Sequence, residues 1–450
     1  MNPAERDGAS LRDDDLRAIF ERLDTSAGIA AAYRGDTADR QPVHTVYGGA
    51  HLFTADVARK LGDAALKSLR EYAPDPAGFA RVLGIDDALA PEVHRRVVDK
   101  LGREPVEDHR LDFEDGYGHR PDDEEDGHAV SAAGELAEGL ARGTLPPFVG
   151  IRIKPLNPEL RARALRTLDR FVTAAVRTGG GMPPNFVVTL PKITSPAQVE
   201  ALVAALEPLE RRLGLERPIP IELMIETPQS ILDASGRVAL PALVAAAVGR
   251  CRGAHFGTYD YTASLDVTAA HQVMSHPACE FALRVMQVSL AGSGVRLSDG
   301  STTLLPVAPH RGASPTPPQL EENRRAVHTA WRAHYDDVRR SLRNAYYQGW
   351  DLHPAQLVTR YAAVFAFFLE GREQAGARLR AFVDKAAQAT LLGNVFDDAA
   401  TGQGLLQYFI QGLSCGALTE AEALTSGLTL EELRGKSFVK ILEGRRTTAR

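Results

Sequence analysis

The chain has 450 residues, of which 44% are hydrophobic and 24% are charged, and its formal net charge is -6. That much apolar sequence can bury a large core, either as one barrel with additions or as two domains. The weakly acidic balance argues against nucleic acid and against a membrane surface as partners. Three widely spaced cysteines, an odd number, indicate no disulfide framework and favour a reducing compartment.

No segment has the length that a membrane span requires. The N-terminus is polar and lacks the apolar stretch of a signal peptide. The longest strongly apolar run, residues 362–369, is too short to cross a bilayer and is predicted to be a buried helix. We therefore expect a cytoplasmic protein.

The first hundred residues predict an arm, a strand and a helical insertion. Residues 1–40 are polar and are expected to form a peripheral arm. The first strand is predicted at residues 43–47, where β-branched and aromatic residues run into the glycine pair Gly48 and Gly49. The helical pattern over residues 54–101 is long for one crossover, so we expect an inserted helical hairpin there.

Strands and helices alternate along the rest of the chain as far as about residue 360. Further strands are predicted at 110–116, 148–153 and 186–192, within 219–227 and 254–260, within 294–307, and at 349–352. Residues 298–301 are predicted to form a turn between two β segments. Near-continuous apolar strands that alternate with helices are typical of a parallel sheet covered by helices. After residue 360 the chain is predicted to be helical, with helix as far as residue 392 and a loop at residues 393–404 that interrupts it.

Two of these strands end in a carboxylate. Glu226 follows the apolar run 219–225, and Asp260 follows the segment 254–259. If both strands run parallel in one barrel, the two side chains emerge at the same rim, which is where barrel enzymes do their chemistry. Two hard oxygen ligands suit Mg2+, which keeps waters in the rest of its shell. A structural interpretation stays open, in which both acids cap the following helices or pair with Arg152.

Six stretches of the chain resemble the HpcH/HpaI aldolase and citrate lyase beta-subunit superfamily. They are Leu-Asp-Phe-Glu-Asp at 111–115, Ile-Arg-Ile at 151–153, Leu-Pro-Lys-Ile at 190–193, Ile-Glu-Thr at 225–227, Gly-Thr-Tyr-Asp at 257–260 and His-Pro-Ala-Gln at 353–356. The matches fall in the order of that family. The segment 257–261 is also similar to malate synthase, a relative in the same superfamily.

This resemblance implies a TIM (β/α)8 barrel with a helical insertion and a C-terminal helical extension. We place the barrel at residues 41–360, after the arm at 1–40, and a helical lid or oligomerisation region at 361–450. The resemblance also implies that Glu226 and Asp260 hold Mg2+, with Mn2+ as the alternative ion.

The same resemblance assigns catalytic and substrate-binding residues. Arg152 is expected to grip a carboxylate or enolate oxygen, and Glu114 and Asp115 are expected near the waters of the metal. Strand alternation puts Asp112 and Glu114 on one face and Asp115 on the other, which favours Glu114 as the site residue. The expected substrate-binding set is Tyr47, Arg152, Lys192 and Gly257.

The implied activity is that of a metal-dependent carbon–carbon lyase or aldolase, working as a homo-oligomer on a small oxo- or hydroxy-acid or its acyl-CoA thioester. Three alternatives stay open: a phosphoenolpyruvate- or pyruvate-handling enzyme, a malate-synthase-like condensing enzyme on the same barrel, and a non-catalytic metabolite-binding barrel. The sequence contains no Gly-x-x-x-x-Gly-Lys-Ser/Thr loop, which weighs against a nucleotide-dependent phosphotransferase.

Overall fold

The computed structural model describes residues 13–24, 35, 40–312, 314–384, 390–392, 395–397, 399–435 and 441. The predicted arm at residues 1–40 lies largely outside these residues. Its described part contains one exposed helix, α1 (Asp13–Asp24).

Eight parallel strands close into a barrel in which each strand pairs with the next along the chain and the last pairs with the first. The strands are β1 (His44–Gly49), β2 (Asp108–Asp112), β3 (Phe148–Arg152), β4 (Phe186–Leu190), β5 (Ile221–Ile225), β6 (Cys251–Phe256), β7 (Arg296–Ser301) and β8 (Gln348–Asp351). The expected TIM (β/α)8 barrel is therefore confirmed. Because the strands are parallel, the residues that follow their carboxyl ends gather at one rim.

Helices cover the outside of the barrel and continue beyond it. They are α2 (Val57–Tyr72), α3 (Pro76–Leu83), α4 (Ala90–Arg103), α5 (Asp122–Arg142), α6 (Arg161–Gly179), α7 (Pro196–Leu213), α8 (Pro228–Ile231), α9 (Leu240–Ala246), α10 (Thr258–Ala263), α11 (Pro277–Leu290), α12 (Pro317–Arg343), α13 (Gln356–Glu370), α14 (Arg372–Asp384), α15 (Ala399–Ser414), α16 (Glu420–Leu424) and α17 (Leu430–Arg434). Most are amphipathic, as in α2, where Ala58, Ala65 and Leu69 are buried at helical spacing.

The segment between β1 and β2 contains three helices, α2 to α4, which is two more than a single crossover needs and confirms the expected helical insertion. The break between α2 and α3 lies at Asp75 and Pro76. Pro76 occupies the first turn of α3, and the Asp75 carboxylate caps it by accepting a hydrogen bond from the Gly78 backbone N–H at 2.8 Å.

The segment from Ser298 to Ser301 is not the predicted turn, because it lies inside β7. Its polar residues are explained by buried contacts. Asp299 accepts a hydrogen bond from the Ser341 hydroxyl at 2.5 Å, and Gly300 leaves room for the Thr258 side chain, which a Cβ would strike. The composition that suggested a turn therefore serves packing and hydrogen bonding.

The inside of the barrel is polar, which the prediction of near-continuous apolar strands missed. Arg110 donates to Glu222 at 2.7 Å and to Thr189 at 3.0 Å, and it also pairs with Asp108. Nε2 of His255 lies 2.9 Å from Oε2 of Glu222, the same oxygen that accepts from Arg110 at 2.7 Å. These contacts supply partners for charges whose burial alone costs several kcal/mol each.

The apolar core lies outside the barrel in two parts. One part packs the strands against α5 to α7, α9 and α11, with Phe113 and Phe171 near its centre. The other joins α2 to α4, α12 and α13 to the C-terminal helices through Trp331, Phe368 and Phe409. This second part holds the C-terminal region against the barrel.

The C-terminal extension is mostly helical, and the apolar run 362–369 lies in the buried helix α13, as predicted. The prediction of helix as far as residue 392, followed by a loop, was wrong. Thr390–Leu392 and Val395–Asp397 pair as the antiparallel strands β9 and β10, and such β-branched and aromatic residue types favour strands. In the described part of the chain, every helix falls short of the length and hydropathy that crossing a membrane requires.

Candidate functional site

Arg152 ends β3 and lies directly across from Asp112, the last residue of β2. The buried guanidinium donates from Nε and Nη2 to the two oxygens of Asp112 at 2.7 and 2.5 Å. The same carboxylate accepts hydrogen bonds from the backbone N–H groups of Glu114 and Gly116 at 3.0 and 2.7 Å. Asp112 therefore fixes both the arginine and the turn that follows β2.

Glu114 and Asp115 both face Arg152. Nη1 of Arg152 lies 3.1 Å from a carboxylate oxygen of Glu114 and 3.6 Å from a carboxylate oxygen of Asp115. The prediction that Asp115 points to the opposite face was wrong, because β2 ends at Asp112 and the alternation ends with it. In the turn, the backbone carbonyl of Glu114 accepts from the N–H groups of Tyr117 and Gly118.

Lys192, which follows β4, contacts all four carboxylates that the sequence singled out. Its ammonium bonds to Glu114 and lies 3.4 Å from Asp115 and 3.3 Å from Asp260. Its backbone N–H donates to Glu226 at 2.7 Å. Lys192 adopts a positive φ of 49°. This conformation is uncommon for residues other than glycine and is often found at functional sites.

The two predicted metal ligands are thus brought to the same lysine from neighbouring strands. Glu226 is only 1% exposed, whereas the side chain of Asp260, in the first turn of α10, is 39% exposed. Gly257, predicted to bind substrate, lies against Glu226: a Cβ there would be 2.5 Å from both Cβ and Oε2 of the glutamate. Glycine leaves the room that this carboxylate occupies.

Tyr47 and Trp350 form an aromatic pair below Arg152. Their ring centroids are 4.5 Å apart, and the Arg152 Cζ lies 4.9 Å from the Tyr47 ring centre, within cation–π distance. The Tyr47 hydroxyl points into the barrel, 3.3 Å from Nδ1 of His255. Sequence reasoning missed Trp350. It lies two residues after the inward-facing Gln348 on β8, and strand alternation puts both side chains on the same face.

The site carries excess negative charge. Five carboxylates face two cations, which leaves three formal negative charges when all are ionised: Asp112, Glu114, Asp115, Glu226 and Asp260 against Arg152 and Lys192. Burial, together with the nearby charge of Asp260, raises the pKa of Glu226 to about 8. Burial also raises the pKa of Glu114 to about 7, against the opposing charge of Arg152.

Two further groups at the site, Asp115 and Lys192, shift toward their charged forms. Burial opposes ionisation of Asp115, but Arg152 outweighs it and lowers the pKa of that carboxyl. Burial likewise opposes the charge on Lys192, while Glu226 and Glu114 hold its pKa above the usual range. Asp115 and Lys192 therefore stay charged at neutral pH, whereas Glu114 and Glu226 titrate close to it.

The residues at this rim fit a magnesium or manganese ion. Carboxylate oxygens are the donors that both ions take. The Lys192 ammonium is a cation that already contacts three of these acids, Glu114, Asp115 and Asp260. Gly257 leaves the space that the fourth acid, Glu226, occupies. Among the described residues, no group of three His, Cys, Asp or Glu side chains is arranged to hold a metal ion.

A separate cavity of about 960 Å³ lies at the opposite end of the barrel, between the start of β7 at Arg296 and the C-terminal helices. Its buried cation, Lys100, is paired with Glu104 at 2.5 Å and Glu107 at 2.6 Å. This cavity is remote from the rim carboxylates and does not contribute to the site.

Comparisons with known proteins agree with this fold. The family described as "Domain of unknown function (DUF6986)" matches residues 22–441. No curated protein sequence matches the chain. A citrate lyase from Burkholderia xenovorans LB400 is similar in structure, with a TM-score of 0.56 and 19% identity over 86% of this chain and 97% of that one. The barrel of the suspected superfamily is thus confirmed at the level of the fold.

Two more distant structures were also matched. The protein CitE from Mycobacterium tuberculosis, in complex with magnesium, acetoacetate and coenzyme A, has a TM-score of 0.48 and 14% identity over 84% of this chain and 99% of that one. A Haloferax volcanii malate synthase, as its magnesium/glyoxylate complex, has a TM-score of 0.42 and 13% identity over 91% and 98%.

Proposed function

The chain belongs to the family described as a domain of unknown function (DUF6986), and because that description names no reaction, we propose a function from the residues at the rim. The protein is a divalent-metal-dependent lyase or aldolase. It breaks or forms a carbon–carbon bond in a small oxo- or hydroxy-acid or in its CoA thioester, through an enolate.

One observation carries this proposal: at the carboxyl-terminal rim of a (β/α)8 barrel, next to a buried arginine, three carboxylates contact the Lys192 ammonium and a fourth, Glu226, accepts from the Lys192 backbone N–H. Glu226 and Asp260 are the proposed ligands of Mg2+ or Mn2+, since they follow neighbouring strands and approach the same lysine. A divalent ion bound there reduces the formal charge of the site from three negative charges to one. The predicted homo-oligomer and the cytoplasmic location stay predictions.

Arg152 supplies a fixed positive charge to the developing enolate. When bound, the metal ion supplies electrophilic charge that draws electrons toward the carbonyl oxygen of the substrate. Asp112 holds Nε and Nη2 of the guanidinium, so the orientation of Nη1 is set before substrate arrives. Preorganised donors of this kind act without reorganisation cost during the reaction. The Tyr47 ring contacts the same guanidinium at cation–π distance.

Glu114 is the proposed acid–base group. Cleavage of a hydroxy-acid needs a base that takes the hydroxyl proton while the electrons of the breaking carbon–carbon bond pass into the enolate. The enolate carbon then receives a proton, and in condensation the order reverses. With a pKa raised to about 7, the Glu114 carboxyl can give and take a proton near neutral pH. Asp115, held ionised, balances the charge of Arg152 and Lys192.

The test is a substrate screen read by mass spectrometry. Purified protein is incubated with 2-oxo-acids, hydroxy-acids and acyl-CoA thioesters, and with glyoxylate plus acetyl-CoA, in Mg2+ or in EDTA. We expect at least one carbon–carbon cleavage or condensation product that forms only with metal and disappears in Asp260→Asn. The matched control, Asp63→Asn, changes an exposed helix acid and should keep full turnover. Metal-independent turnover, or unchanged turnover in Asp260→Asn, would overturn the proposal.

A further inference from the structure

We infer that Lys192 is an internal cation that competes with the divalent ion for the rim carboxylates, so that metal binding displaces its ammonium. This inference rests on the proposed metal-dependent function. It adds that a residue of the chain itself sets how tightly the metal is held.

The first support is the position of the ammonium. It lies among Glu114, Asp115 and Asp260, within 3.4 Å of each. Oxygens that point at an ammonium group do not also point at a second cation in the same space. This agrees with the finding that, within the described ranges, no group of three His, Cys, Asp or Glu side chains is arranged to hold a metal ion. The carboxylates lie close together, but their common contact is the lysine.

The second support is the way in which Lys192 is attached. Its backbone N–H is fixed to the Glu226 carboxylate at 2.7 Å, and this contact holds the residue in its uncommon positive-φ conformation. The side chain beyond the backbone is a flexible four-carbon stem and remains 30% exposed. The backbone anchor can therefore stay in place while the ammonium leaves Asp260 for the open side of the rim.

The charges give the direction of the effect. A monovalent and a divalent cation in one carboxylate cluster repel each other, and the repulsion is stronger in a partly buried site than in water. Removal of the lysine charge therefore increases the attraction between the remaining carboxylates and the metal. Once displaced, the ammonium is free to pair with an anionic substrate. The metal is then expected to bind before the acid substrate does.

The test compares Mn2+ affinity in variants by calorimetric titration. Lys192→Met removes the ammonium and keeps an unbranched stem of similar length. We expect it to bind Mn2+ at least tenfold more tightly than the wild type. Lys60→Met makes the same change at an exposed helix position that contacts Asp56 and should bind Mn2+ as the wild type does. Equal or weaker binding by Lys192→Met, with its unfolding midpoint preserved, would overturn the inference.

A second measurement uses the unaltered protein, in case the variant does not fold. Reductive methylation followed by peptide mass spectrometry reports how reactive each lysine is. We expect Lys192 to become more reactive when Mn2+ is added, while Lys60 stays constant; an unchanged Lys192 would refute displacement. Failure of the proposed function is distinguishable, because the wild type would then bind no Mn2+ or Asp260→Asn would bind it equally well.

Discussion

Substitution of Gly257 by alanine tests how closely the rim is fitted around Glu226. The backbone at Gly257 has a φ of -104°, which any residue adopts, so the glycine is required by space and not by conformation. An added Cβ would lie 2.5 Å from the Cβ of Glu226, whereas ordinary carbon–carbon contact is about 3.5–4.0 Å. The glutamate must therefore move by about 1 Å. Glu226 is buried and accepts a hydrogen bond from the Lys192 backbone N–H, so this movement would disturb its packing and that hydrogen bond.

The expected effect has two parts. Overpacking costs about 1–3 kcal/mol, offset by about 0.4–1 kcal/mol because alanine restricts the unfolded chain. A carboxylate displaced by about 1 Å leaves bonding distance of a metal whose oxygen bonds are about 2.0–2.1 Å long. We expect Gly257→Ala to be less stable in urea unfolding and to bind Mn2+ at least tenfold more weakly.

Gly102→Ala is the matched control, because Gly102 lies in α4 with nothing within 4 Å of an added Cβ. This change should stabilise the protein by about 0.5–1 kcal/mol and leave Mn2+ binding unchanged. If Gly257→Ala binds Mn2+ within twofold of the wild type and unfolds at the same urea concentration, the fit described for Glu226 is wrong.

Two further predictions concern buried charge. Asp112→Asn removes the charged acceptor of Nε and Nη2 of Arg152, while Glu114 and Asp115 stay near Nη1, so we expect a loss of about 1.5–3 kcal/mol in the free energy of unfolding from urea titration; a loss below about 1 kcal/mol would contradict this. Burial lowers the pKa of His109 to about 3, so the unfolded chain, with a histidine pKa near 6.5, binds the extra proton as pH falls, and stability declines below about pH 6.5. From pH 6.5 to 5 this loss approaches about 2 kcal/mol, and His109→Leu should remove it; parallel pH dependence of urea unfolding in the variant and the wild type would disprove the assignment.

Local signals in the sequence predicted much of the fold. A serine followed by a proline, as at Ser195 and Pro196, is typical of a helix start, and the structure forms a capping box there at the start of α7. The segment 298–301 was mispredicted because Asp299 and Gly300 are common turn residues, and their reasons for lying in β7 are partners that are distant in the chain. The residue types of a segment can be used to predict a strand from sequence. The partners of polar residues in that strand depend on how the barrel closes.

The site was predictable to the extent that it depends on strand ends. Glu226 and Asp260 were placed by the rule that parallel strands share a rim, and the structure brings both to Lys192. The role of Asp112 as the partner of Arg152 was missed, because it depends on the register between β2 and β3. The positive φ of Lys192 has no signal in a single sequence, since nothing in the residue type requires it.

The proposed metal site at residues 226 and 260 is tested most directly by Mn2+ titration, followed by electron paramagnetic resonance, of the wild type, Glu226→Gln and Asp260→Asn. We expect one tightly bound ion per chain in the wild type and at least a tenfold loss of affinity in each variant. Asp63→Asn, at an exposed position, should behave as the wild type does. Equal Mn2+ affinity in all four proteins, or no binding by the wild type, would contradict a metal centre at residues 226 and 260.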